Sequence, residues 1–202
     1  MRLVAIVILA FAPAFVLYGC GGSPAGGSVH APVRPAARPA VVAVHHPTIT
    51  MSMAAPSGVP NFHVVHPGLL RGGAPTPEGL KNLKKIGVKT VIDLRIAPKT
   101  VAKEKKRVEA LGMTWINLPM SGDPPTLREI NTFMHNATTP SDQPVFVHCQ
   151  HGADRTGAMV GIYRETIDHW PYAKTFKEMR HYGLNPVYHG LVNTVRRYAP
   201  HT

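Results

Sequence analysis

The stretch Val145-Phe146-Val147-His148-Cys149-Gln150-His151-Gly152-Ala153-Asp154-Arg155-Thr156-Gly157 constrains this chain more than any other. A short apolar run, Pro144 to His148, reads as a buried strand, and Ala158 to Arg164 reads as a helix. The loop between them and the first helical turn aim backbone N–H groups inward, forming a cradle for a tetrahedral oxyanion. Gly152 lets the backbone close around the anion without a Cβ in the way. Arg155 carries a planar fork that grips two oxygens at once. The same N–H groups, the helix dipole and Arg155 favour the thiolate of Cys149. Gln150, His151, Gly152, Ala153 and Asp154 are therefore the candidate anion-binding residues.

The chain around this loop, residues 61–202, alternates strands and helices. Phe62 to Leu70 predicts a first strand, closed by Arg71-Gly72-Gly73. Thr76 precedes Pro77 and Glu78 as an N-cap, and Gly87 ends that helix. Val88–Leu94 predicts a strand, Lys99–Leu111 a very basic helix, and Thr114–Leu118 a second central strand. Thr126 and Glu129 form a capping-box pattern for a helix through Ala137. Two more helices follow at about 171–182 and 186–198. This alternation predicts an α/β domain with a four- to five-stranded, mostly parallel sheet flanked by helices.

Ahead of it the composition changes. Met1-Arg2 leads a sixteen-residue apolar run, Leu3 to Tyr18, which reads as a signal peptide over 1–19; a retained single-span anchor is the alternative. Leu17-Tyr18-Gly19-Cys20 resembles the lipobox of bacterial lipoproteins, with Tyr18 bulkier than is usual there. That resemblance implies lipid attachment at Cys20 and export to the bacterial cell envelope, anchored and facing the periplasm or the cell surface. Residues 20–60 are rich in Pro, Ala, Gly and Ser and read as a flexible tether, in which His30, His45 and His46 are solvated. The chain has two cysteines, so an acylated Cys20 leaves Cys149 without a disulfide partner.

The net charge is +11, and no acidic residue occurs before Glu78. Residues 61–202 hold 19 basic and 11 acidic groups, a net of +8, and a domain so charged favours anionic ligands. It shows no zinc-finger spacing, aromatic platform or Arg-rich recognition helix, and nucleic acid is not an expected partner.

The pattern His148-Cys149-x5-Arg155-Thr156 resembles the active-site loop of the cysteine-dependent protein tyrosine phosphatases. The resemblance covers about residues 61–200. The segment NFHVVHPGLLRGGAPTPEGLKNLKKIGVKTVIDLR resembles the entry segment of the compact, atypical dual-specificity branch found in fungi, plants and bacteria. It implies a phosphoric monoester hydrolase with no metal and no cofactor, working as a monomer on phosphorylated protein or a small phosphate ester. Cys149 then attacks phosphorus to form a phosphocysteine, Arg155 stabilises the transition state, and Thr156 donates to the departing sulfur. His148 tunes the thiolate without touching substrate. The general acid is expected at Asp123, in the loop after the 114–118 strand; Glu129 is a helix cap and Asp142 sits in a turn at the other sheet edge. Asp154 is the competitor, its alternative being to orient a neighbouring loop.

Some members of that branch act on inositol pyrophosphates and carry basic residues within the loop. Here Ala153 and Asp154 stand there instead, which disfavours dense negative charge; His151 compensates only when protonated. Lys99, Lys103, Lys105, Lys106 and Arg107 form a basic face that either collects polyanions or is simply solvated. No folded segment before Phe62 builds a deep wall, so a shallow, permissive site is expected. A tyrosine or dual-specificity phosphatase is the leading reading. An inositol polyphosphate phosphatase and a non-catalytic, phosphate-binding surface lipoprotein are its rivals.

Overall fold

The computed structural model describes residues 49–200. The expected signal peptide, Cys20, His30, His45, His46 and most of the expected tether lie outside the described residues. The described end of that tether, residues 49–60, packs on the domain. Ile49 and Val59 are buried with Phe62, Leu80 and Leu83, and Thr76 donates its N–H to the Gly58 carbonyl at 2.8 Å. The boundary placed at residue 61 thus falls within packed chain.

Among the described residues five strands form one sheet: β1 (His63–His66), β2 (Leu69–Gly73), β3 (Thr90–Asp93), β4 (Thr114–Asn117) and β5 (Val145–Cys149), in the order β1-β2-β5-β3-β4. Only the β1–β2 pair is antiparallel. The six helices among the described residues are α1 (Pro77–Lys85), α2 (Pro98–Ala110), α3 (Leu127–Thr138), α4 (Asp154–Thr166), α5 (Tyr172–His181) and α6 (His189–Tyr198). The α/β reading with a mostly parallel sheet is what the chain adopts.

Local chemistry explains the helix starts. Thr76 Oγ1 accepts the Gly79 N–H at 3.0 Å. Thr126 and Glu129 close a reciprocal capping box at the start of α3, which satisfies two donors the helix leaves open. Three boundaries differ from expectation. The predicted 62–70 strand is a hairpin, because Pro67-Gly68 makes a tight turn between β1 and β2. The 114–118 strand is at the sheet edge rather than central, and its side chains are only partly covered. Helix α4 starts four residues early, at Asp154, so Asp154 and Arg155 at the end of the anion loop are already helical.

The sheet is covered on both faces, and strand alternation sorts β5 between them. Val145, Val147 and Cys149 join the larger core with Met159, Ile162, Leu191 and Val195 from α4 and α6. Phe146 points the other way, into the core with Leu80, Leu83 and Val108 from α1 and α2. His148 shares the parity of Phe146 and stacks on its ring at 5.5 Å. The two neighbours at the end of β5 therefore meet opposite layers of the molecule.

Candidate active site

Cys149 ends β5 with only 2% of its surface exposed. The loop after it is shaped from outside. The Gln150 carbonyl accepts the Ala74 N–H at 3.1 Å. The His151 carbonyl accepts from Asn61 Nδ2 at 3.3 Å, and the Gly152 carbonyl from Arg71 Nη2 at 2.7 Å. In a trans peptide the carbonyl and the following N–H point in opposite directions. Drawing these three carbonyls outward therefore turns the N–H groups of residues 151–153 inward. Gly152 has φ +75°, and a Cβ there would lie 2.5 Å from the Gly72 carbonyl carbon. Only glycine fits, because β2 passes directly beneath the loop.

Burial raises the Cys149 thiol, yet its pKa lies below the ordinary cysteine value. The opposing causes are hydrogen bonds from the Thr156 side chain and backbone, the Arg155 charge and the His151 N–H. Thr156 Oγ1 is buried without a nitrogen or oxygen partner; the sulfur is the acceptor left to it. Helix α4 adds its positive end, and its Ala153 N-cap offers no side chain to occupy the free N–H groups. Arg155 Nη1 is held by the carbonyls of Met120 at 3.2 Å and Leu94 at 3.5 Å.

Arg155 faces a cleft of about 320 Å³ that it lines with Ile96, Met120, His151, Asp154, Tyr188 and Leu191. Tyr188 supplies an aromatic wall that the sequence did not lead us to expect, from the segment before α6 rather than from the amino-terminal side. Its ring lies so close to Gly122 that a Cβ there would sit 2.6 Å from it.

Cys149, Arg155 and Thr156 thus converge, with Gln150–Asp154 forming the loop between them. Asp123 stands apart. It lines an adjoining hollow with Pro119, Ser121 and Thr126, and its Oδ2 accepts from Ser121 Oγ at 2.7 Å. Ser121 lines both spaces. Asp154 lines the main cleft, but its Oδ1 accepts the Asn185 N–H at 2.8 Å, tying the loop to the segment between α5 and α6.

Besides Tyr188, two features are not visible in the sequence. In the sequence Arg71 reads as part of a strand terminator. It is a buried guanidinium beneath the loop, 4.3 Å from the Tyr182 ring centroid. Burial brings it down to about 10, against the pull of Glu178, Tyr182 and Cys149, so it stays cationic at neutral pH. The other is a buried cluster behind His148. His148 Nδ1 is 3.1 Å from the Cys149 carbonyl and Nε2 is 2.8 Å from Glu104 Oε1. Arg95 bridges Glu104 at 2.6 Å and Asp93 at 2.8 Å. Asp93, Glu104 and His148 have metal-ligand chemistry and converge within 4.8 Å, but Arg95 already pairs with both carboxylates.

A family model described as a DSP-PTPase phosphatase fused to NAD+ kinase matches residues 55–185. The chain belongs to this phosphatase family. Inositol diphosphatase DSP3 of Arabidopsis thaliana is 30% identical over 124 residues, 58% of this chain and 60% of the relative. Dual specificity protein phosphatase TpbA of Pseudomonas aeruginosa is 26% identical over 127 residues, 61% of this chain and 55% of the relative. The matches thus span somewhat over half of these relatives' lengths. The crystal structure of P. aeruginosa TpbA superposes with a TM-score of 0.61 at 22% identity, covering 73% of this chain and 90% of that one. It shares the fold.

Proposed function

We propose that the chain hydrolyses phosphate monoesters through a phosphocysteine intermediate. The observation that carries this is a buried sulfur facing the His151 and Thr156 N–H groups and the Thr156 hydroxyl, beside the Arg155 charge. The Cys149 thiolate attacks phosphorus, the bond to the ester oxygen breaks, and the leaving oxygen takes a proton from an acid. Water then attacks the phosphocysteine, and Thr156 stabilises the sulfur as it departs as thiolate. The scheme uses side chains and water, with no metal.

Asp123 is the general acid this reading favours: it stands in the loop after β4, in a hollow that shares Ser121 with the cleft, whereas Asp154 ties the anion loop to the segment before α6 through the Asn185 N–H. In this role the Ser121–Asp123 turn would rotate to bring the carboxylate from its adjoining hollow into the cleft. Asp123→Asn should therefore cost about 10²- to 10⁴-fold on phosphoserine and phosphotyrosine peptides, the usual range for a lost general acid. An ester of an acidic phenol, which leaves without protonation, should lose less than about tenfold. Equal losses on both would assign the role to Asp154.

The cleft favours a single phosphoryl group on an apolar body. Ile96, Met120, Tyr188 and Leu191 line it, Asp154 repels added negative charge, and no lysine is among its lining residues. The basic face of α2 and the inositol diphosphatase relative favour the second reading, an inositol polyphosphate substrate. Phosphate release under reducing conditions from a phosphotyrosine peptide and from inositol hexakisphosphate, compared from about pH 4.5 to 7.5, decides between them. We expect kcat/KM at least about tenfold higher for the peptide, the factor that 1.4 kcal/mol represents. The reverse preference, strongest at acid pH, would move the assignment to inositol phosphates. No release from any ester, with phosphate bound, would leave a binding protein. The export signal and lipid attachment at Cys20 complete the proposal, and mass analysis of the protein from membranes tests them.

A further inference from the structure

Glu104 lies on a helix whose exposed face is mainly basic. Within α2 it is buried with Val101 and Val108, the stripe that faces the sheet. Its two oxygens are divided: Oε2 takes Arg95 and Oε1 takes His148. Both ring nitrogens of His148 meet acceptors that have no proton to give, a carboxylate at Nε2 and the Cys149 carbonyl at Nδ1. Two such contacts are satisfied together only when both nitrogens carry hydrogen.

We infer that Glu104 is a positioning residue that holds His148 as an imidazolium behind the nucleophile, so that α2 helps to set the thiolate; this rests on the phosphatase reading of Cys149. The charges of the cluster support it. Asp93 and Glu104 contribute two negative charges, and Arg95 and a protonated His148 contribute two positive ones. A neutral His148 would leave an excess negative charge, fully buried, one residue from the thiolate. Burial alone would depress His148, but the hydrogen bond and charge of Glu104, followed by Asp93, raise it above the ordinary value against the opposing charge of Arg95. On the sulfur side the charged neighbours are Arg71 from β2 and Arg155 from α4.

The sign of one substitution separates this from simple electrostatics. If Glu104 acted on the sulfur only as a nearby negative charge, Glu104→Gln would make the thiolate easier to form. If it acts through His148, the substitution releases the imidazolium proton, and the loss of that nearer positive charge makes the thiolate harder to form. The test is the pH dependence of Cys149 alkylation by iodoacetamide in the full chain, read on the Cys149 peptide by mass spectrometry so that Cys20 does not contribute. We expect the midpoint to rise by about one pH unit, the scale of one lost charge contact, and the rise to vanish in a His148→Asn background. An unchanged or lowered midpoint, or the same rise in both backgrounds, overturns the inference.

A second measurement needs no Glu104 variant. Nitrogen NMR of the parent, with His148 assigned by comparison with His148→Asn, should show both ring nitrogens protonated at about pH 7.5, above the ordinary histidine pKa of about 6.5. A neutral ring there also overturns the inference. Neither readout requires turnover, so a parent that releases no phosphate defeats the hydrolase reading separately from this one.

Discussion

Cys149→Ser should reduce phosphate release on the order of 10⁵-fold or more, the scale of removing a nucleophile outright, while inorganic phosphate still binds. The environment of residue 149 is built to favour an anion: two backbone N–H groups, the Thr156 hydroxyl and the Arg155 charge lower the thiol despite its burial. A serine hydroxyl starts too far from ionisation for that field to matter at neutral pH. The loop is held from outside by Ala74, Asn61 and Arg71, none of which touches the substituted atom. The cradle should therefore survive, and removing the thiolate's negative charge should leave phosphate binding at least as tight, as isothermal calorimetry can measure. Because the thiol lies below the ordinary value, the parent's kcat/KM should fall with acid at a lower pH than an ordinary cysteine would allow, as the sulfur is protonated. Residual turnover within about tenfold of the parent would sink the covalent mechanism.

Much of this site was legible because its signals are local. The loop from His148 to Gly157 states its turn, its nucleophile and its charge within ten residues, and the caps at Thr76 and Thr126 act within three. What escaped depends on distant packing. Arg71 looks like a strand end until β2 pairs with β5 and places it under Gly152. β4 reads like any central strand, since its edge position follows from the order in which the others pair. Glu104 was hidden among lysines, although a trace existed: it occupies the inward stripe between Val101 and Val108, where an isolated acid needs a buried partner. Tyr188 offered no trace. Its role as a wall depends on the approach of the segment before α6 to Gly122.

Arg155→Lys tests whether shape or charge is what the site requires of that residue. Lysine keeps the positive charge but replaces a planar fork with a single point donor on a flexible stem. In the parent, the Met120 carbonyl at 3.2 Å fixes the guanidinium at the mouth of the cleft, and Nη1 alone is engaged among the described residues. The other guanidinium N–H groups are left to pair with two phosphoryl oxygens as charge builds on them. A lysine ammonium would be drawn to the same carbonyls and could not present two parallel donors. We expect kcat to fall about 10²- to 10³-fold, the usual cost of losing a transition-state donor, with a further loss of about tenfold for Arg155→Ala, which also removes the charge. The midpoint of Cys149 alkylation should rise more in Arg155→Ala than in Arg155→Lys, since the Arg155 charge helps to hold the thiolate. Activity of Arg155→Lys within about threefold of the parent would mean that charge alone suffices, and that bidentate recognition of the phosphoryl group plays no part in this cleft.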